Sequence, residues 1–140
     1  MSPILRNVLA VIAGCIVGFI VNMGIITISP MVIVPPTGVD PTNPESLAAG
    51  AHLMEMKHFI MPFLAHALGT LAGAFVAAKI AFSHNLKFAL GIGVFFLLGG
   101  IAATTIIPAP TWFIILDLLV AYIPMAWLGG KIGGGAKRNI

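Results

Sequence analysis

Four apolar runs, each about as long as a bilayer is thick, constrain this 140-residue chain more than any other feature. A helix needs ~20 apolar residues to cross the hydrocarbon layer, and the stretches 8–29, 59–82, 88–107 and 111–130 all reach that length. Inside lipid every backbone N–H and C=O must find a partner within the protein, which leaves helices and closed barrels as spanning structures. These runs do not alternate polar with apolar residues, as barrel strands would. Composition enters at this point: with 59% hydrophobic and 8% charged residues, a water-soluble fold could not cover itself. The expected fold is an all-α integral membrane protein, a compact bundle of four transmembrane helices forming one domain over residues 1–140.

Orientation follows from the basic residues near the ends of the spans. Arg6, Lys79, Lys87, Lys131, Lys137 and Arg138 fall on one side of an even-numbered topology. Lys57 falls on the other, together with Asp40, Glu45 and Glu55. Both termini are therefore expected in the cytoplasm, with the chain in the cell's inner (cytoplasmic) membrane. A net charge of +3 is too small and scattered for a nucleic-acid footprint, so the bilayer is the expected partner. Cys15 is the one cysteine, which rules out an intrachain disulfide, and its apolar setting suits a small packed hydrophobe. "IAGC" before and at Cys15 resembles a lipoprotein cleavage box. The residues after it stay apolar, "IVGFIV", and the segment reads as a true span.

Between the spans the chain is uneven. The outer loop 30–58 is proline-rich in its first half. Asn43, Pro44 and Glu45 then supply a capping side chain, a first-turn proline and an acid at the positive end of a helix dipole. That predicts a short helix from Pro44 to about Lys57, with Leu47, Ala51 and Met54 on one face. "SHN" at 83–85 is a tight turn that makes spans two and three an antiparallel hairpin. The glycine-rich, basic tail 131–140 reads as a flexible end near anionic lipid.

Small residues recur every fourth position in two spans: Ala10, Gly14, Gly18 and Asn22 in the first, Ala65, Gly69, Gly73 and Ala77 in the second. Such stripes let helix backbones approach closely where water no longer drives association. They can pack on one another within the bundle or serve a partner chain.

Depth arithmetic singles out the polar residues within the spans. At 1.5 Å rise per residue, Asn22, His66 and Asp117 each lie ~10 Å below the outer surface. Thr70 and Tyr122 follow one turn deeper. An aspartate and a histidine at one level have a physical reason to pair, since each lowers the other's cost of carrying charge. The pair Asp117–His66, with Asn22, Thr70 and Tyr122 around it, is the candidate coupling site or, read structurally, a satisfied bridge between spans.

At the outer mouth of span two, "HLMEMKHFIM" gathers His52, Met54, Met56 and His58, ligand types that suit copper. His52, Glu55 and His58 are spaced i, i+3, i+6 and drift around a helix, so they form no single ligand face. Pro124 frees the carbonyl of Val120 and predicts a bend beside Tyr122. Trp112 and Trp127 suit interfacial anchors at the two ends of span four.

Phosphate-loop, nucleophile-elbow and cysteine–histidine signatures are missing, so the chain reads as a non-enzyme with no cofactor. The first functional reading is an accessory or structural subunit that associates through its small-residue faces around the polar layer of Asn22, His66 and Asp117. The alternative is a proton-coupled small-molecule transporter or channel acting as a homodimer. A metal- or haem-binding membrane module comes third. Four short helices enclose little space, so a transport path calls for a second copy, and a homo-oligomer or a larger complex is expected under either leading reading.

Overall fold

In the computed structural model, which describes residues 1–134, every regular element is helical. Helix α1 (Pro3–Val32) leads into a proline-rich loop and a short α2 (Pro44–Ala49). Two 3-10 turns (Ala51–Leu53 and Met56–Phe59) precede α3 (Ile60–Ile80), and α4 (Asn85–Thr104), α5 (Thr111–Val120) and α6 (Ile123–Gly134) follow. Four stretches, Pro3–Val32, Met56–Ile80, Asn85–Thr104 and Thr111–Gly134, are long and apolar enough to cross a membrane. By length and composition this is a multi-pass helical membrane protein. Its outward surface fits: Ile12, Ile16, Phe19 and Ile20 of α1 and Phe95 and Leu98 of α4 are exposed, as helices solvated by lipid on one side require.

Helix α1 is longer at both ends than the apolar run alone suggests. Ser2 Oγ accepts the Leu5 N–H at 3.2 Å and Pro3 occupies the first turn, so the helix starts ahead of residue 8. At the other end it passes through Pro30, where Ile33 N–H still reaches the Ser29 carbonyl at 2.9 Å. Its 30 residues span about 45 Å, well beyond the ~30 Å hydrocarbon layer, so α1 tilts or overhangs.

Helix α3 is the centre of the bundle and packs on α1, α4 and α6. Against α1 it runs antiparallel, with Gly73 beside Gly14 and Gly69 beside Gly18. A Cβ added to Gly73 would lie 2.5 Å from the Gly14 carbonyl oxygen, and one added to Gly18 would lie 2.9 Å from that of Gly69. Ala10, Ala65 and Ala77 of the same stripes are fully buried. The two stripes thus face each other within one chain.

Helix α6 repeats the device. A Cβ on Gly129 would meet the Leu71 carbonyl oxygen at 2.5 Å, and one on Gly133 would meet Ala78 Cβ at 3.2 Å. Residues 131–134 are therefore helical, not part of a flexible tail, because Gly133 continues the small face one turn beyond Gly129. The rest of the expected tail, 135–140, lies outside the described residues.

Two interruptions shape the site. The fourth span breaks between Val120 and Ile123, where Pro124 has no N–H for the Val120 carbonyl. The loop helix expected from Pro44 to about Lys57 is also broken. It begins on Asn43, whose Oδ1 accepts the Glu45 and Ser46 N–H groups at 2.9 and 3.3 Å, and it ends at Gly50. There buried Val39 sits against the missing side chain. Farther on, the Glu55 N–H donates to His58 Nδ1 at 2.8 Å in place of a helical carbonyl.

At the end that carries the start of α1, Arg6 Nε donates to the Ile80 carbonyl at 2.6 Å, and Asn85 Nδ2 to that of Ala78 at 2.5 Å. These bonds close the last turn of α3, where helical carbonyls lack partners. The turn at 83–85 is made by His84 in the left-handed conformation, φ 51° and ψ 40°, a region that histidine enters more readily than most side chains.

Candidate functional site

His66 of α3 and Asp117 of α5 meet in the interior. His66 Nδ1 lies 2.9 Å from both Asp117 Oδ1 and Oδ2. The Tyr122 hydroxyl, from the break between α5 and α6, donates to Asp117 Oδ2 at 3.2 Å. The His66 and Tyr122 rings stack with centroids 5.7 Å apart and planes 26° from parallel. An ionised carboxylate only accepts hydrogen bonds, so Nδ1 carries hydrogen in this arrangement. Among the described residues no bond to Nε2 is made. The side chain of Asp117 is 7% exposed and that of His66 is 24% exposed, so the aspartate is the more shielded of the two.

What the histidine faces is a cleft of about 560 Å³ at the loop end of the bundle. Its floor includes His66 and Asp117, and its walls include Ile26, Phe59, Phe113, Ile114 and Leu118. Leu47, Ala51 and Met54 share one rim although they no longer share one helix. A single chain therefore forms an open cleft of ligand size. The proline-rich loop borders it through Ile33, Pro35 and Pro41, and the segment between α4 and α5 borders it through Ile107, Pro108 and Pro110.

Glycine 100 fits the floor for a reason the sequence did not single out. A Cβ there would lie 2.5 Å from the Tyr122 hydroxyl oxygen, so only glycine leaves the tyrosine room to reach Asp117. The signal was the adjacent pair Gly99–Gly100, but its two members differ. Gly99 faces open space while Gly100 faces the site.

The remaining candidates separate from the pair. Asn22 packs on Gly69, its Cβ 3.0 Å from where a side chain would begin, and among the described residues it makes no bond to the pair. Thr70 is buried, and its hydroxyl has no partner among the described residues. His52, Met54 and His58 line the cleft mouth, while Met56 is 72% exposed and points elsewhere. His58 uses both ring nitrogens: Nδ1 accepts from Glu55 N–H at 2.8 Å and Nε2 donates to the Val34 carbonyl at 3.2 Å. Among the described residues no three His, Cys, Asp or Glu side chains gather as a metal site would require. In the exposed loop, the Thr42 hydroxyl and N–H both donate to Asp40 Oδ1, which holds that carboxyl below the usual carboxylate range.

Chemically, the arrangement is a hydrogen-bonded histidine–aspartate pair lining a largely apolar cleft. The tyrosine steadies the carboxylate, and its contribution can be measured. Tyr122→Phe is expected to cost about 1 kcal/mol of stability in detergent unfolding, the size of one hydrogen bond. An unchanged unfolding midpoint would mean that the 3.2 Å contact contributes nothing. Comparison with known family models, curated proteins and solved structures finds no match to this chain.

Proposed function

We propose that this protein is a non-enzymatic carrier of the inner (cytoplasmic) membrane, working as a homodimer, that binds a small lipophilic molecule in its cleft and couples binding to a proton at His66–Asp117. The observation that carries this reading is the position of the pair. An ionisable couple inside a membrane protein is costly, and here it lies on the floor of a cleft large enough for a ligand. A purely structural bridge between α3 and α5 has no need of such an opening.

The direction of the site rests on charge. Arg6, Lys79, Lys87 and Lys131 lie toward the end where α1 starts and α6 stops, whereas the loop end has Lys57 among Asp40, Glu45 and Glu55. That bias supports cytoplasmic termini and a cleft that opens to the outside.

A second reading, an accessory or structural subunit of a larger membrane complex, has one observation in its favour. The stripes on α1 and α3 are filled within the chain, but Gly91 and Gly99, two turns apart on α4, have open space where a side chain would be. A partner helix could approach closely there.

Native mass spectrometry of the full chain, released from mild detergent, separates the two. The carrier reading expects a homodimer that retains a small molecule. A bare chain, or one that keeps an unrelated protein bound, would overturn it in favour of the subunit.

A further inference from the structure

We propose that the ligand of the cleft is a lipophilic monovalent cation and that it exchanges for one proton at the His66–Asp117 pair. This inference rests on the reading of the cleft as a ligand site and adds the charge of the ligand and the stoichiometry of exchange.

The charge balance of the cleft points to it. Asp117 is the one carboxylate among the described lining residues, and no lysine or arginine lines the cleft. From α1 the lining side chains are Ile26, Ser29 and Pro30, and α4 presents Gly100, Ala103 and Thr104, none of which titrates. The titratable groups that face the pair or its approach are Tyr122, which bonds to Asp117, and His52 and His58 at the mouth. His58 has both ring nitrogens engaged away from the pair, Nδ1 by the Glu55 N–H and Nε2 by the Val34 carbonyl. With His66 neutral, the floor of the cleft thus carries one uncompensated negative charge.

A lone charge shielded from water is expensive, and one positive charge beside it removes most of the cost. Two sources can supply that charge. A proton on His66 makes the imidazolium, with Nδ1–H on the carboxylate and Nε2–H toward the cleft. A cation in the cleft does the same with the histidine neutral. Both at once would place two like charges against a single carboxylate, so each disfavours the other. On binding, imidazolium Nε2 releases its proton to water, Nδ1–H remains on Asp117, and the net charge of the site is unchanged.

The walls fit the apolar body of such a ligand. Phe59 and Phe113, both in the lining, lie with ring centroids 4.9 Å apart. Aromatic faces favour organic cations over anions of equal size.

The test compares tetraphenylphosphonium with tetraphenylborate, probes of similar size and opposite charge. Each is titrated by calorimetry into the full-length protein in detergent, from about pH 5.5 to about pH 8.5, the range in which histidine titrates. Two buffers of different ionisation enthalpy count the protons released. The expected result is binding of the phosphonium alone, with release approaching about one proton per cation on the acid side. Its affinity there should rise about tenfold for each unit that the pH increases, and level off once the histidine is neutral. Asp117→Asn should weaken binding about a hundredfold and abolish the release, on the scale of one close charge pair. His66→Gln should keep the cation and lose the release across this range. If a variant does not fold, the proton count and the charge comparison on the unmodified chain decide alone.

Equal binding of both probes, or phosphonium binding independent of pH, would overturn the exchange. Binding of neither ion by a chain that retains an uncharged small molecule in native mass spectrometry would overturn the cation and leave the ligand cleft standing. No binding of either probe to a chain that is bare in the mass spectrometer would remove both.

Discussion

Gly73→Leu is expected to prevent the bundle from assembling, and Gly73→Ala to lower stability by about 1–3 kcal/mol through overpacking. A Cβ at this position would stand 2.5 Å from the Gly14 carbonyl oxygen and 3.2 Å from Gly18 Cα. Both are backbone atoms, which cannot swing aside as a side-chain tip can. Relief would require α1 and α3 to separate, and that would forfeit the close contacts of Ala10, Ala65 and Ala77 along the same seam. Gly91 is the matched control, since a side chain there meets nothing within 4 Å. Gly91→Ala should leave stability unchanged or raise it by up to about 1 kcal/mol through helix propensity. Folded yield and thermal unfolding in detergent measure both. Equal losses at the two positions would show that the α1–α3 seam is not what holds the helices together.

Asp117→Ala is the second large effect, an expected loss of about 3 kcal/mol. The figure is the lower end of what removing one partner of a buried charged pair costs, because the 24% exposure of His66 lets water reach part of the site. The substitution would strand two donors, His66 Nδ1 and the Tyr122 hydroxyl. Asp117→Asn keeps an acceptor for one of them and should lose about half as much. A double-mutant cycle with His66→Ala isolates the pair, with an expected coupling of about 1–3 kcal/mol. Strict additivity would mean that the 2.9 Å contact is a geometric neighbour without energetic weight.

Much of the fold could be read from residue order because the bilayer leaves few alternatives. Once the chain must satisfy its backbone in lipid, four apolar runs become four helices, and their ends move only by local chemistry. Ser2 and Pro3 pull α1 outward by several residues, and Pro124 breaks the fourth span. The small-residue periodicity marked the helix faces that approach closely. It did not indicate which face each would meet. That depends on the crossing of α1 and α3, where Gly14 and Gly18 lie against Gly73 and Gly69. Gly133 of α6 was hidden inside what looked like a tail, because residue order does not distinguish a glycine that loosens a chain from one that admits a neighbouring backbone.

The site divides the same way. Rise per residue along each helix places His66 and Asp117 at one depth, and depth is a property of a single span. Whether residues at one depth touch depends on the rotation of each helix about its axis, which is set by packing against the others. Rotation turns His66 and Tyr122 onto Asp117 and leaves Asn22, at the same level, against Gly69. The cleft above the pair belongs wholly to the tertiary structure, since it is bounded by elements far apart in the chain. From its sequence alone this protein had its helices, their number and their polar level determined, because those follow from what lipid forbids. Partners, cleft and access were decided only in three dimensions, because they depend on which faces meet.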